Sequence, residues 1–162
     1  MRFVLCMLML LAGKEAVAQH FQLETVHDSL SLLTLTTDGV TDTLELHFPV
    51  YRYCTADLTA DGLEEAVVGV VKPTRFYHDD GRRLFIFKNY GGQIRTLWRG
   101  SRIGGKLIDF KALNGIIRCL MRMKDDHYAV ADFSMARFGL QFQHFVIDNA
   151  SEAEARSAFE AP

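Results

Sequence analysis

The sequence predicts an all-β protein, an antiparallel meander of about ten strands. Three observations carry that prediction. From residue 29 onward apolar and polar residues alternate in short segments, the period at which successive side chains fall on opposite faces of a strand. Asp-Gly, Gly-Gly and Asn-Gly pairs separate the segments and supply the positive φ angles that tight hairpin turns need. A sustained 3.6-residue period is missing until residues 151–159.

The elements follow in order. Residues 29–36 (SLSLLTLT) and 43–50 (TLELHFPV) alternate, with Asp38-Gly39 as turn material between them. Residues 65–71 (EAVVGVV) form a continuous apolar run, as expected of a strand buried on both faces. Asp80-Gly81 precedes 82–88 (RRLFIFK), and Gly91-Gly92 turns that strand into 93–99 (QIRTLWR). Asn114-Gly115 is the strongest hairpin signal and joins 106–112 (KLIDFKA) to 116–123 (IIRCLMRM). Two more strands are expected at 127–134 (HYAVADFS) and 138–147 (FGLQFQHFVI), with the bend near Ala136-Arg137. In the polar tail, 148–162, Ser151 followed by Glu154 fits a helix capping box. The tail carries little apolar surface, so a frayed helix or a disordered end is expected there.

The N-terminus reads as an export signal. Arg2 gives a positive start, Phe3 to Leu11 is unbroken apolar, and Ala16-Val17-Ala18 is a small-residue cleavage site before Gln19. The apolar run is far shorter than the roughly 20 residues of a membrane-spanning helix. Lys14 stands where a lipoprotein would carry its lipid-bearing cysteine. The expected organisation is therefore a signal peptide at 1–18, a single all-β domain at 19–147, and the tail. Export to a periplasmic or extracellular space follows, with no membrane span once the signal is removed.

Removal of the signal takes Cys6 and leaves Cys54 and Cys119. In an oxidising compartment the two can pair. Both also sit in apolar strand-like runs, where a free cysteine behaves as a small hydrophobe. Charge is unevenly spread. Residues 19–71 hold nine acids against one base, Arg52, whereas 72–147 hold fourteen bases against six acids. The basic half either faces an anionic partner or lies beside the acidic half in the fold.

One loop has calcium-ligand spacing. Asp57, Thr59 and Asp61 alternate, Leu63 offers a carbonyl, Glu65 closes the set, and Gly62 permits a sharp turn. A twelve-residue EF-hand is excluded, because Val68 stands where its bidentate glutamate would be. The competing reading is an Asx turn, in which Asp57 and Asp61 bind their own backbone.

The stretch from Tyr53 to Lys88 resembles an FG-GAP or VCBS-type repeat, the propeller blade in which an acidic loop leads into an apolar strand. Val67-Val68-Gly69 and Leu84-Phe85-Ile86-Phe87 carry that resemblance. It implies two blade-like sheets, arranged as a sandwich or an open propeller fragment. A closed propeller needs at least four four-stranded blades and does not fit this chain. More broadly, Val68 to Phe110 resembles a group of short secreted proteins of Bacteroides-like bacteria, often labelled nuclear receptor-binding factor 2. No established activity comes with that resemblance.

Other motifs carry less. Gly100 to Lys106 has phosphate-loop spacing, but Leu107 replaces the magnesium-binding hydroxyl and a strand follows where a helix is required. The six histidines show no zinc-site spacing. Arg95, Trp98, Arg99 and Arg102, with Tyr90, form a candidate stacking surface for an anionic glycan or a partner protein. The function expected from these readings is a non-enzymatic envelope module that binds or supports, with one calcium ion as a candidate cofactor. Its rivals are a binder of anionic glycan or protein and, further back, a hydrolase of envelope polymers. No nucleic-acid partner is expected.

Overall fold

The computed structural model describes residues 19–73, 78, 80–100 and 103–162. The expected signal peptide, Asp79 and Arg102 lie outside the described residues. Among the described residues, eleven antiparallel strands form three open sheets in chain order. The first sheet comprises β1 (Gln19–His27), β2 (Leu30–Thr37) and β3 (Val40–Leu46). The central sheet comprises β4 (Val50–Ala56), β5 (Glu65–Lys72), β6 (Gly81–Tyr90) and β7 (Gln93–Arg99). The third comprises β8 (Lys106–Leu113), β9 (Ile116–Arg122), β10 (Tyr128–Ala136) and β11 (Gly139–Ala150), and helix α1 (Glu152–Glu160) follows it.

The expected turns set the hairpin registers. Asp38-Gly39 separates the pair Thr37–Val40, Gly91-Gly92 the pair Tyr90–Gln93, and Asn114-Gly115 the pair Leu113–Ile116. The expected strand at 43–50 is corrected. It straddles the end of β3, a break at 47–49, and the start of β4. Pro49 sits in that break, where its missing N–H costs no ladder bond and its carbonyl accepts from Val71 N–H at 2.8 Å. β1 is a further strand beyond those read individually. Only Phe21 of its residues is buried, so its apolar pattern is faint.

The sheets stack as layers, and the continuous apolar run at 65–71 shows how. In β5, Ala66, Val68 and Val70 join Phe85 and Phe87 of β6 in a core shared with Phe21, Leu33, Leu35 and Leu46 of the first sheet. The alternate residues Val67, Leu84 and Ile86 pack against Phe110, Ile117, Cys119 and Met121 of the third sheet. Both faces of the central sheet are therefore buried, and period-two patterning is lost there. Gly69 is the point of closest approach. A Cβ at this position would come within 2.6 Å of the Tyr51 ring and 2.7 Å of Phe110. The two rings themselves meet edge to face at 6.2 Å.

The tail differs from the expectation of a frayed or disordered end. β11 continues through Ala150, and α1 docks on the outer face of the third sheet. Its capping box forms in both directions between Ser151 and Glu154. Ala155 and Phe159, four residues apart, bury one stripe against Leu120, Val130 and Ala150. Little apolar surface suffices, because the sheet already presents a matching patch. Polar contacts add to it. The Ala161 carbonyl accepts from Lys111 Nζ at 2.8 Å and from Arg118 at 3.2 Å. Arg118 is in turn held by Asp132 in a two-bond pair at 2.8 and 3.1 Å, with the Asp132 side chain only 3% exposed.

Candidate functional site

The loop between β4 and β5 folds as a turn satisfied by its own backbone. Asp57 accepts from the N–H groups of Asp61 at 3.3 Å and Gly62 at 2.9 Å, and Asp61 accepts from Leu63 N–H at 2.9 Å. Glu65 is buried. Its two oxygens accept from Leu58 N–H at 2.8 Å and Thr59 Oγ1 at 3.1 Å. Burial holds the Glu65 carboxyl above the usual range, against those two hydrogen bonds, and the nearby Asp61 and Asp57 push the same way as burial. The hydroxyl of Thr59 is thus spent as a donor to Glu65. Among the described residues no group of three or more His, Cys, Asp or Glu side chains is arranged to share a metal ion.

Cys54 and Cys119, the candidate disulfide pair, are unbridged in this structure. Cys119 is fully buried in the layer between the central and third sheets, and Cys54 packs at the edge of that layer. Both act there as small apolar groups, and burial raises both thiols above their ordinary range.

The candidate stacking surface is rearranged. Trp98 pairs across the ladder with Ile86, which faces the third sheet. Arg99 pairs with Phe85, which faces the first sheet, so Arg99 and Trp98 lie on opposite faces of β7. Arg95 donates to Gln93 Oε1 at 2.6 Å near the far end of the hairpin. Tyr90, at that hairpin's tip, is 67% exposed.

What Trp98 joins instead is an apolar cleft of about 310 Å³, where β7 meets β10 and β11. Met121, Met123, Phe133, Phe142 and Phe145 complete most of its wall. Phe142 sits between two other rings, 5.9 Å from Phe133 and 4.9 Å from Phe145. Phe142 and Phe145 remain 47% and 41% exposed, and Phe138 at the adjoining hairpin tip is 91% exposed. Gly139 fixes the indole. Its φ is +117°, and a Cβ there would collide with the six-membered ring of Trp98. The indole Nε1–H is buried and has no hydrogen-bond partner among the described residues.

Most of this wall escaped sequence reasoning. Met121, Met123, Phe133, Phe142 and Phe145 read simply as strand hydrophobes. The one local signal was the run FGLQFQHF at 138–145, whose aromatic residues are too many for a single buried face.

A second depression, about 420 Å³, is lined by Arg82, Arg83, Lys106 and Arg156 with Asp80 as its acid. Arg82 also lies over the Tyr51 ring at 4.6 Å. No helix of the described residues is long and apolar enough to cross a membrane. Comparison with protein-family models, curated proteins and solved structures finds no match for the chain.

Proposed function

We propose that this chain is an exported, non-catalytic binding module whose ligand sits in the Trp98 cleft. The observation behind it is the cleft's wall of aromatic and methionine side chains, continuous with the exposed rings of Phe142 and Phe145. Concave apolar sites of this size take small ligands or single anchoring side chains of a partner. Adjoining exposed aromatic residues are uncommon on surfaces that meet only water. The carboxylate raised by burial, Glu65, lies inside a closed turn with both oxygens occupied, which favours binding over acid–base chemistry at that group. Export rests on the N-terminal sequence pattern.

The test is a titration of the mature chain, from Gln19 onward, with anilinonaphthalene sulfonate. Saturable enhancement is expected at one dye per chain, on protein that still melts cooperatively. Phe142→Ser should weaken it at least about fivefold, in line with the loss of one apolar anchor. An enhancement that does not saturate, or that the variant leaves intact, would remove the cleft as the ligand site.

A second reading has its own observation. The depression around Arg82, Lys106 and Arg156 carries an excess of positive charge and suits an anionic glycan or an acidic partner of the envelope. Retention on a sulfated polysaccharide that fades steeply between low and moderate salt would support it, and salt-independent retention would count against it.

A further inference from the structure

Among the described residues seven large apolar side chains are exposed, and four of them, Phe138, Phe142, Phe145 and Val146, lie in one hairpin arm. β11 is the edge strand of its sheet, and no described strand lies beyond it. The run 138–147 (FGLQFQHFVI) contains no Lys, Arg, Asp or Glu. An uncharged aromatic patch of this kind is unfavourable against water and marks a surface of association.

Its shape points to the occupant, because the patch holds both a protrusion and a hollow. Phe138, 91% exposed in the turn between β10 and β11, stands outside the cleft. Its neighbour Gly139 lies against the Trp98 ring that walls the cleft, and Leu140, Phe142 and Phe145 of the same arm line it. A protrusion and a hollow on separate faces would link copies into open chains. On one face they allow a two-fold arrangement in which each copy fills the other. Charge fits the same arrangement. Arg137 and Asp148 bracket the uncharged run, so two arms laid antiparallel about an axis near Phe142 set each base beside the acid of the other copy. The three register shifts of β11 interrupt an outward ladder, which leaves the contact to side chains.

Area sets the strength. The four side chains expose on the order of 400 Å² per copy, about half of what a standard interface takes from each partner. Gln141, Gln143 and His144 are exposed beside them and supply a polar rim. An interface at the small end of the range gives a reversible dimer with micromolar dissociation.

We propose that the chain forms a two-fold homodimer in which Phe138 of each copy enters the Trp98 cleft of the other. This goes beyond the proposed function. It names a second copy as the occupant of the cleft in the absence of ligand, so that ligand and self-association compete.

Sedimentation velocity of the mature chain, from about 5 to about 500 µM, should show a monomer giving way to a dimer and to nothing larger. Trp98 is the sole tryptophan and reports on the cleft itself. Its emission should move to shorter wavelength over the same concentrations, as a ring replaces water beside it. Phe138→Ser removes the protruding ring from outside the core. It should weaken dimerisation at least about tenfold, since the contact is lost twice, and leave the melting temperature of dilute protein unchanged. Tyr90→Ser removes an exposed ring at another hairpin tip and should change neither readout. A chain that stays monomeric at the highest concentration overturns the proposal, and saturable dye binding by that monomer would assign the cleft to a ligand alone. Assemblies larger than a dimer overturn the two-fold exchange. A dimer whose Trp98 emission ignores dilution, or that Phe138→Ser leaves intact, uses another surface and overturns it too. Equal weakening by Tyr90→Ser would do the same, by showing unspecific adhesion.

Discussion

The two spaces between the sheets are built from similar residues and finish differently. Between the first and central sheets, Phe21, Leu33, Leu35, Val68, Val70 and Phe87 are all nearly inaccessible. Between the central and third sheets the packing is equally dry around Val67, Ile86 and Phe110, and then opens toward Trp98, Phe142 and Phe145. The difference lies in the edge strand. β11 has twelve residues against the nine of β10, and its register against β10 shifts at three places. Each shift re-aims side chains and increases the local twist. Phe142 and Phe145 therefore turn partly out of the layer, and a cleft is left where the first two sheets leave none. A closed layer contributes stability through burial, and an open one leaves apolar side chains accessible.

The comparison breaks most sharply at matched phenylalanines. Phe87→Ala, in the closed layer at 1% exposure, should cost about 3–5 kcal/mol through lost burial and a residual cavity. Phe145→Ala, at 41% exposure on the cleft, should cost no more than about 1 kcal/mol. Urea unfolding monitored by circular dichroism measures both. Equal costs would mean that the cleft is core and not a binding surface.

A smaller effect distinguishes the acidic turn from the rest. Glu65 is held above the ordinary glutamate range in the folded chain, mainly by burial. The folded state therefore keeps a proton that the unfolded chain has released. Its contribution to stability is full below the ordinary range and declines as pH rises through the raised value. Glu152 and Glu154 at the helix N-terminus are shifted down, Glu152 chiefly by Arg156 and Glu154 by Ser151, and their contribution runs the other way. Comparison with Glu65→Gln isolates the turn. The melting temperature of the parent minus that of the variant should be largest near pH 4 and shrink toward pH 7. A difference that grows with pH would mean that Glu65 is stabilised as an anion.

The smallest expected effect concerns calcium. Asp57, Asp61 and Glu65 already accept hydrogen bonds from Asp61, Gly62, Leu63, Leu58 and Thr59 within the turn. Millimolar calcium after EDTA should leave the melting temperature unchanged. A rise of roughly 5–10 °C, abolished by Asp61→Ala, would instead make the loop a structural calcium site of the kind its spacing suggests.

Several particulars were legible from local chemistry. Asp38-Gly39, Gly91-Gly92 and Asn114-Gly115 each mark a hairpin, because a tight turn is decided by the φ angles its own residues accept. Ser151 and Glu154 cap α1 for the same reason of proximity. The central strand at 65–71 announced its double burial by losing alternation. Other particulars were not legible. The faint β1, the break at Pro49 and the docking of α1 depend on what lies opposite in space. The spread of Arg95, Trp98 and Arg99 over two faces has a related reason. Neighbours along a strand alternate between faces, and Arg99 turned away from Trp98.

By itself, then, the sequence determined the strand period, the turns, the cap and the acid-rich turn, since each is settled within a few residues by backbone preference and local hydrogen bonding. The tertiary structure alone decided the stacking of three sheets, the patch that holds the helix, and the cleft that unites Trp98 with Met121, Met123, Phe133, Phe142 and Phe145. Those residues come from four separate strands and their connections. Which of them meet is fixed by ladder register and by the shifts in β11, and no short stretch of sequence contains that information.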